Sequence, residues 1–515
     1  MPSDFKNEPL TDFSQPQIAA AFQQALDEVR ATFGRTYPLW IDGHELQASA
    51  TFPSLNPAHP EEVLGHFQKA EPAQAEQAIE AASRAFESWK NTPAHQRAEL
   101  LFSAADRMRQ RKHWFSAWMV YEVGKSWAEA DGDTAEAIDF MEFYAREMLR
   151  YAADQPITKL AGEENELIYI PLGVGVIVPP WNFPLAILVG MTTAAIVTGN
   201  TVVLKPSSDA PAIGWQFVSL LREVGVPGGV LNYVTGSGGS IGNRLVDHPK
   251  TRFITFTGSK EVGLGINERA AKAQPGQLWI KRVVAEMGGK DSIVVAADAD
   301  LDRAADAVVA SAFGFQGQKC SACSRAIVDA KVYDAFLPKI VERAKKIVVG
   351  APEERGVYMG PVINKKAQES ILGYIATGKQ TGRLLLGGEA GPSQGFFVQP
   401  TIIADVDPKA VISLEEIFGP VLAVIKARDW EQALEIANNT EYGLTGSVFT
   451  RDEAKIDEAK RRFHVGNLYF NRKCTGAMVG AHPFGGFNMS GTDSKAGGRD
   501  YLLLFLQAKV MSRLK

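Results

Sequence analysis

Two cysteines separated by two residues are the first candidates for chemistry in this sequence. Cys320 and Cys323 lie in the run Gly-Gln-Lys-Cys-Ser-Ala-Cys. A pair with this spacing acts as a redox couple when it opens a helix in a small βαβ unit, and it supplies half of a zinc site when a second pair accompanies it. Cys474 is distant, and the eight histidines show no ligand spacing. We therefore expect no metal site.

A third interpretation makes Cys320 a catalytic thiol and Cys323 a packing residue. The three residues before the first cysteine are Gly317, Gln318 and Lys319. This context is typical of an accessible thiol near a cation, where the thiolate is the favoured form. Free cysteines are often buried core residues, so the motif alone leaves a packing role for Cys320 open.

A carboxylate and an amide stand in unusual surroundings. Glu286 follows an apolar strand and precedes Gly-Gly. We interpret it as a partly desolvated base whose pKa is raised toward neutrality; the alternative is a solvent-facing carboxylate at a strand end. Asn182 lies between prolines in residues 179–184, which form a rigid turn. Its amide either donates to a developing oxyanion or only closes the turn.

Two glycine-rich turns are candidates for binding a phosphate group. Residues 256–263 predict a strand that ends in Thr-Gly and a helix with Ser259 as its N-cap. The N-terminus of a helix favours a diphosphate, because its backbone N–H groups are exposed there. Residues 236–242 form a second such turn, and neither turn has the usual dinucleotide fingerprint. A purely structural role for the glycines therefore stays open.

The elements around these residues predict an α/β fold. After residue 156, short β-rich runs alternate with helices, which is typical of a doubly wound, Rossmann-like parallel sheet. A second alternating block starts near residue 282 and runs past residue 467. Earlier segments predict a hairpin arm at 37–44, helices at 97–110 and 133–151, and a solvated helix face at 107–112. Residues 501–510 predict an apolar strand.

Composition excludes several classes of protein. At 515 residues the chain is longer than a single compact core can accommodate, so we expect more than one domain. A net charge of −5 argues against a nucleic acid partner. The N-terminus lacks the apolar core of a signal peptide, and the apolar run 185–198 is too short to span a membrane, so it predicts a buried helix. Three cysteines fit a reducing compartment; we expect a cytoplasmic protein.

Taken together, these motifs resemble the aldehyde dehydrogenase family from about residue 40 to residue 506. The matching segments are 180–184 (Pro-Trp-Asn-Phe-Pro), 205–208 (Lys-Pro-Ser-Ser), 256–259 (Phe-Thr-Gly-Ser), 286–289 (Glu-Met-Gly-Gly), 317–320 (Gly-Gln-Lys-Cys), 416–420 (Glu-Ile-Phe-Gly-Pro) and 483–486 (Pro-Phe-Gly-Gly). The resemblance implies a Rossmann-like dinucleotide-binding domain, an α/β catalytic domain and a β oligomerisation arm. We expect N-terminal helices and the dinucleotide-binding domain in residues 1–285, with arm strands near 150–170, and the catalytic domain in 286–470. Residues 471–515 would carry the substrate loop, return to the cofactor domain and end in the oligomerisation strand.

The resemblance also implies a reaction and a cofactor. Cys320 would be the nucleophile and Glu286 the general base. Asn182 would donate to the oxyanion. The cofactor would be NAD, and it would contact Trp181, Lys205, Ser208, Gly242, Gly258, Ser259, Glu416 and Phe418. Many NAD-preferring members carry Glu where Ser208 stands, so the neutral residue leaves NADP open.

Residues 314–325 and 471–480 are more similar to one branch of the family, which oxidises L-glutamate γ-semialdehyde to L-glutamate. That similarity implies a small-molecule substrate held by Glu136, Phe183, Ser321, Gly476, Ala477 and Phe484. The apolar strand predicted from residue 501 indicates exchange between subunits, so we expect a homo-oligomer, a dimer or a multiple of dimers. We expect no membrane partner. The alternatives are another aldehyde substrate, a non-catalytic relative and a cysteine hydrolase.

Overall fold

The computed structural model of the chain describes residues 4–515. Within them the α-helices are α1 (Pro16–Arg30), α2 (Pro72–Trp89), α3 (Ala94–Gln110), α4 (Lys112–Val123), α5 (Trp127–Ala152), α6 (Ala186–Val197), α7 (Pro211–Glu223), α8 (Asn243–Asp247), α9 (Lys260–Ala271), α10 (Leu301–Phe313), α11 (Tyr333–Ala344), α12 (Lys365–Thr381), α13 (Val411–Leu414), α14 (Trp430–Asn438) and α15 (Glu453–Arg462).

The strands, in chain order, are β1 (Arg35–Tyr37), β2 (Leu39–Ile41), β3 (His44–Leu46), β4 (Thr51–Asn56), β5 (His59–Gln68), β6 (Glu163–Pro171), β7 (Val174–Val178), β8 (Thr201–Leu204), β9 (Leu231–Tyr233), β10 (Thr251–Thr257), β11 (Arg282–Glu286), β12 (Ser292–Val295), β13 (Arg325–Asp329), β14 (Arg383–Leu386), β15 (Thr401–Ala404), β16 (Val421–Ala427), β17 (Tyr442–Gly443), β18 (Thr445–Phe449), β19 (Asn467–Phe470), β20 (Phe487–Asn488) and β21 (Leu506–Leu514).

The first large sheet has the strand order β11-β10-β7-β8-β9-β2-β3. Its strands are parallel from β11 to β9, and β8 is buried along its whole length, as expected for a strand covered on both faces. The hairpin predicted near residues 37–44 exists, but it is no arm. Its strands β2 and β3 pair antiparallel and extend the edge of this sheet.

The second large sheet has the order β14-β15-β16-β13-β12-β18-β19 and is parallel except at β14. Its first strand in the chain begins at Ser292, so the prediction that the second block starts near Arg282 was wrong. Strand β11 pairs with β10 of the first sheet, with Phe253 opposite Arg282. Glu286 therefore lies at the carboxyl end of a strand in the first sheet, where α/β proteins bind ligands.

A two-stranded ribbon is formed by β6 and β21, which pair antiparallel from Leu506 opposite Pro171 to Leu514 opposite Glu163. The strand predicted from residue 501 begins only at Leu506. Residues Tyr501–Phe505 form a 3-10 turn, because the Tyr501 side chain turns into the core and stacks on Tyr144, with ring centroids 5.4 Å apart.

Helices α3 to α6 form a layer beside the first sheet. The sequence predicted α3 and α5 but missed α4, and it placed Lys112 on a solvated face. Lys112 is instead buried at the start of α4, where its Nζ lies 3.0 Å from Asp131 Oδ1 and donates to Pro9 O. The buried helix predicted near residues 185–198 is α6. Among the described residues, no helix combines the length and apolar character needed to cross a membrane.

A carboxylate from α4 caps the N-terminus of α7. The N-cap residue of α7, Ala210, has no side chain that can accept a hydrogen bond. Glu122 accepts one from Ala212 N at 2.6 Å and one from Ile213 N at 2.9 Å, and Ser54 Oγ donates to it at 3.0 Å. Burial raises the pKa of Glu122 to about 7, although these hydrogen bonds oppose the shift.

We expect Glu122→Ala to lower the free energy of unfolding by about 2–4 kcal/mol, because two helical N–H groups and a buried hydroxyl lose their acceptor. Denaturant unfolding of the two proteins measures the difference. Ser54→Ala is the matched control, since it removes one donor to the same carboxylate, and we expect it to cost about 1 kcal/mol. Equal losses in the two variants would contradict the capping role.

Candidate active site

One cavity of about 760 Å³ opens at the carboxyl ends of strands in the first sheet. Each residue predicted to contact the cofactor lines it, and so do Asn182 and Cys320. Glu286 and the residues predicted to hold the substrate are not on its wall. Residues that are scattered over more than 200 positions of sequence are thus brought to one place, while their individual roles stay predictions.

The two glycine-rich turns form one end of this cavity. Ser259 is the N-cap of α9, as predicted, and its Oγ accepts a hydrogen bond from Val262 N at 3.4 Å. The second turn, Gly238–Gly242, is a π-helical turn that leads into α8. Gly242 and Gly258 both lie on the cavity wall. Backbone N–H groups at the start of α9 therefore face a cleft that can accept an anion.

Lys205 and Ser208 follow the end of β8 and line the same end of the cavity. Lys205 Nζ donates to Pro206 O at 3.2 Å, and burial lowers the pKa of this ammonium to about 8. Ser208 Oγ donates to Gly236 O at 3.4 Å, which links the segment to the second glycine-rich turn. The two side chains offer donors of the kind that bind ribose hydroxyls.

The surroundings of Cys320 differ from the prediction. Burial, followed by the charges of Asp291, Glu416 and Glu286, holds the pKa of the Cys320 thiol well above its ordinary value. Lys319 does not stabilise the thiolate as predicted, because its Nζ is paired with a carboxylate of α5, Glu129 Oε1, at 2.7 Å. The thiol needs a proton acceptor before it can act as a nucleophile.

The loop that carries Cys320 is held in a strained conformation. Phe315 and Gln316 have φ angles of 49° and 57°, in the left-handed region that side chains disfavour. Gln316 Nε2 donates to Gly124 O at 2.9 Å and to Pro361 O at 2.8 Å. Gln318 Oε1 accepts a hydrogen bond from Ile363 N at 2.9 Å. These contacts fix the backbone on the approach to the thiol.

All three thiols are free. Cys323 is fully buried and donates to Arg325 O at 3.4 Å, which agrees with a packing role. Its neighbouring thiol is Cys474, whose Sγ donates to Ser321 O at 3.4 Å. A disulfide between Cys320 and Cys323 under oxidising conditions, which their spacing suggests, stays a prediction.

Asn182 reaches across to the loop of Cys320. Its Nδ2 donates to Gln318 O at 3.1 Å, and the residue is buried. The amide nitrogen has two N–H groups, so one remains for another acceptor. The side chain joins two loops and keeps one N–H for a further acceptor, while its role toward an oxyanion stays a prediction.

Glu286 ends β11 close to the first glycine-rich turn. Its carboxylate accepts a hydrogen bond from Ser494 Oγ and another from Gly486 N at 3.4 Å. Burial raises the pKa of Glu286 to about 7, the direction predicted from its position. A carboxyl group with this proton affinity is half ionised near neutral pH and suits acid–base work there.

Glu416 and Phe418 close the cavity from the side of the second sheet. Glu416 Oε1 accepts a hydrogen bond from Gly289 N at 3.0 Å, and burial raises the pKa of this carboxyl to about 7. Phe418 has a φ of 56°, and its ring meets that of Trp181 edge to face at 5.5 Å. Both aromatic side chains lie on the wall of the cavity.

Five of the six residues predicted to hold the substrate lie on loops, and the sixth, Glu136, lies on α5. Ser321 O accepts the hydrogen bond from Cys474 Sγ described above. Cys474 stands two positions before Gly476 and three before Ala477. Gly476 has a φ of 75°, and its carbonyl accepts from Arg472 Nη2 at 3.0 Å in a tight loop. Phe484 exchanges backbone hydrogen bonds with Ala496, near Ser494, which contacts Glu286. Phe183 packs against the fully buried Lys125.

Glu136 lies half-buried on α5, and burial followed by the charge of Asp133 raises its pKa to about 8. The sequence analysis missed Lys125, Glu129 and Asp133, which surround this part of the site. A signal was present, because positions 129, 133 and 136 follow the i, i+4, i+7 spacing that places side chains on one helix face.

Comparison with known proteins agrees with this geometry. The model of the aldehyde dehydrogenase family matches residues 40–511. The chain is 57% identical over 514 residues to a 1-pyrroline-5-carboxylate dehydrogenase of Geobacillus thermodenitrificans (strain NG80-2), and 56% identical over 514 residues to 1-pyrroline-5-carboxylate dehydrogenase 2 of Bacillus subtilis (strain 168); each alignment covers both proteins in full.

Solved structures give the same result. A crystal structure of 1-pyrroline-5-carboxylate dehydrogenase from Thermus with bound NAD matches with a TM-score of 0.98 at 49% identity, covering 100% of this chain and 99% of that one. Betaine aldehyde dehydrogenase from Staphylococcus aureus in complex with NAD+ matches with a TM-score of 0.89 at 28% identity, covering 96% and 97%. The chain belongs to the aldehyde dehydrogenase family.

Proposed function

We propose that the chain oxidises L-glutamate γ-semialdehyde, the open form of 1-pyrroline-5-carboxylate, to L-glutamate with NAD. The observation that carries this proposal is the position of Cys320 on the cavity wall with the Asn182 amide beside its loop. The full-length similarity to proteins named for this substrate supports the choice of aldehyde. The substrate is a small molecule, and neither a nucleic acid nor a membrane takes part.

The cavity suits a dinucleotide. The N-terminus of α9 at Ser259 offers N–H groups to a diphosphate. Lys205 and Ser208 would contact the adenosine ribose, and Glu416 and Phe418 the nicotinamide half. NAD, when bound, supplies the hydride acceptor for the oxidation. The neutral Ser208 places no carboxylate against a 2′-phosphate, so NADP is a second candidate cofactor.

In the first half of the reaction, the Cys320 sulfur adds to the aldehyde carbon. The thiol must first lose its proton, and Glu286, with a pKa of about 7, is the acceptor whose affinity fits. The carbonyl oxygen becomes an alkoxide, which the free N–H of Asn182 and the backbone N–H of Cys320 stabilise. Loss of hydride from the carbon leaves an acyl group on the sulfur as a thioester.

In the second half, water cleaves the thioester. Glu286 first releases to solvent the proton that it took from Cys320. It then takes a proton from the attacking water, and the acyl carbon releases the Cys320 sulfur as the acid forms. Hydrogen bonds from Ser494 Oγ and Gly486 N stabilise the ionised form of the Glu286 carboxylate. The same carboxyl therefore serves each half-reaction as a base.

The far end of the substrate carries a carboxylate and an ammonium. We assign the carboxylate to the Ser321 side chain and the backbone N–H groups of Gly476 and Ala477, and the aliphatic chain to the space between Phe183 and Phe484. Glu136 would face the ammonium. The exposed Gly476 and the buried Ser321 belong to loops joined through Cys474, which supports a shared anchor.

The ribbon of β6 and β21 supports a homo-oligomer, a dimer or a multiple of dimers. Val510 and Leu514 on β21 are 62% and 80% exposed. Apolar side chains on a long exposed ribbon favour coverage by a second copy of the chain. The free thiols fit a reducing compartment, and we propose the cytoplasm.

We expect purified enzyme to reduce NAD in the presence of pyrroline-5-carboxylate, and Cys320→Ala to lower kcat by roughly 10³-fold or more, because no other group forms the thioester. Absorbance of the reduced cofactor measures both rates. Cys323→Ala is the matched control and should keep most of the activity. A wild type that oxidises only simple aliphatic aldehydes would overturn the choice of substrate, and an active Cys320→Ala would overturn the nucleophile.

We expect kcat to rise with pH up to about 7 and then to level off, because the carboxylate form of Glu286 is populated only above its pKa. Below that pH the rate should fall roughly tenfold per pH unit. Glu286→Gln should lower the rate and remove this dependence. Glu416→Gln is the control, since the pKa of Glu416 is also about 7. An inflection that survives in Glu286→Gln and disappears in Glu416→Gln would assign it to Glu416.

A further inference from the structure

A fully buried ion pair lies behind the active-site loops. Lys125 Nζ is 2.9 Å from Asp133 Oδ2, and both side chains are 0% exposed. The two atoms are held by charge and lack the alignment of a hydrogen bond. Burying two charges is costly, and apolar residues often fill such space at no loss of stability. The pair therefore calls for an explanation other than stability.

The carboxylate of this pair fixes the end of one active-site loop. Asp133 Oδ1 accepts a hydrogen bond from Ala186 N at 2.6 Å. Ala186 is the first residue of α6, and the loop just before it carries Asn182 and Phe183. Since α6 has no side-chain cap of its own, Asp133 takes that place and holds the position at which the loop ends.

The ammonium of the pair contacts both loops of the site. Lys125 Nζ lies 3.9 Å from the ring centroid of Phe183 and 4.5 Å from that of Phe315. A cation over an aromatic face is attracted to it, and the attraction is strongest where water is excluded. Phe315 belongs to the strained loop that leads to Cys320. The residue before the lysine, Gly124, accepts the hydrogen bond from Gln316 on the same loop.

We propose that Lys125 and Asp133 are positioning residues that set the distance between the Asn182 amide and the Cys320 sulfur. The pair binds Phe183 and Ala186 on one loop and Phe315 on the other, so it fixes the two loops relative to each other without touching the substrate. The proposal rests on the function proposed above for Cys320 and Asn182. Misplacing reacting groups by about 1 Å lowers a rate roughly 100-fold.

The test replaces both members of the pair. Lys125→Met removes the cation at similar length, and Asp133→Asn keeps an oxygen for Ala186 N while removing the charge. Made together, they leave no unpaired buried charge, which is the main cause of unfolding when one partner is removed. Asp133→Asn alone is prepared as well. Thermal melting, the dissociation constant for NAD, and kcat and KM for the aldehyde that the wild type oxidises are measured on each protein.

A matched control is present nearby. Lys112 on α4 pairs with Asp131 on α5 at 3.0 Å, and the two side chains are 10% and 2% exposed. They contact Pro9 and Thr11 near the N-terminus instead of the active-site loops. Lys112→Met with Asp131→Asn removes a similar pair from the same scaffold. It should leave kcat unchanged.

We expect the Lys125→Met/Asp133→Asn protein to melt as a folded protein, to bind NAD within about twofold of the wild type, and to lose roughly 10- to 100-fold in kcat with little change in KM.

An unchanged kcat, a parallel loss of NAD affinity, or an equal loss of kcat in the control would each overturn the proposal. If neither variant of the pair folds while the control does, the pair is a folding requirement and the proposal also fails. If the wild type is inactive toward pyrroline-5-carboxylate but oxidises propanal, only the proposed substrate is overturned. The kcat of each variant is then compared with that of the wild type on propanal.

Discussion

Burial of the acidic groups near Cys320 is the constraint on which the chemistry depends. Burial is the largest cause of the raised pKa of Glu286 and of Glu416, both about 7, of Asp291, about 8, and of the still higher pKa of the Cys320 thiol. In water these acids would be ionised, and the thiol would have its ordinary pKa. Buried in the protein, these acids hold protons near neutral pH. Burial raises the proton affinity of the carboxyl, which makes it a better acceptor for the thiol proton than a carboxyl with its ordinary pKa.

The register of two parallel strands connects that chemistry to the cofactor cleft. Thr257 lies opposite Glu286 where β10 and β11 end, and Gly258 N donates to Glu286 O at 3.1 Å. The next residue, Ser259, begins the helix whose N-terminus faces the cavity. One backbone hydrogen bond therefore separates the proposed base from the turn proposed to meet the diphosphate. Slipping β11 by one residue would turn the Glu286 side chain to the other face of the sheet and break this arrangement.

Local signals predicted some of this structure, and long-range contacts account for what they missed. The N-cap at Ser259 and helix α6 follow from residues within one or two turns. The membership of β11 in the first sheet could not be predicted in this way. Its partner strand begins about 30 residues earlier, and the pairing leaves no local trace in the sequence. The prediction that the Lys319 cation lies near the Cys320 thiol was also wrong, because neighbouring positions in the sequence do not show which way a side chain points. Lys319 points to Glu129, from a helix 190 residues away. The motifs identified which residues matter, but their proton affinities depend on burial, which only the packed structure shows.

The carboxylates on one face of α5 show how the fold combines support with recognition. Glu129 is paired with Lys319, and Asp133 with Lys125. Glu136, on the same face, instead has a pKa of about 8, raised by burial and then by its neighbour Asp133. A buried carboxyl that is costly to ionise alone becomes easy to ionise when a cation arrives beside it. Within the proposed function, the α-ammonium of the substrate is such a cation. Two of the three acids would then hold the loops in place, while the third would remain neutral until a substrate with the right charge enters.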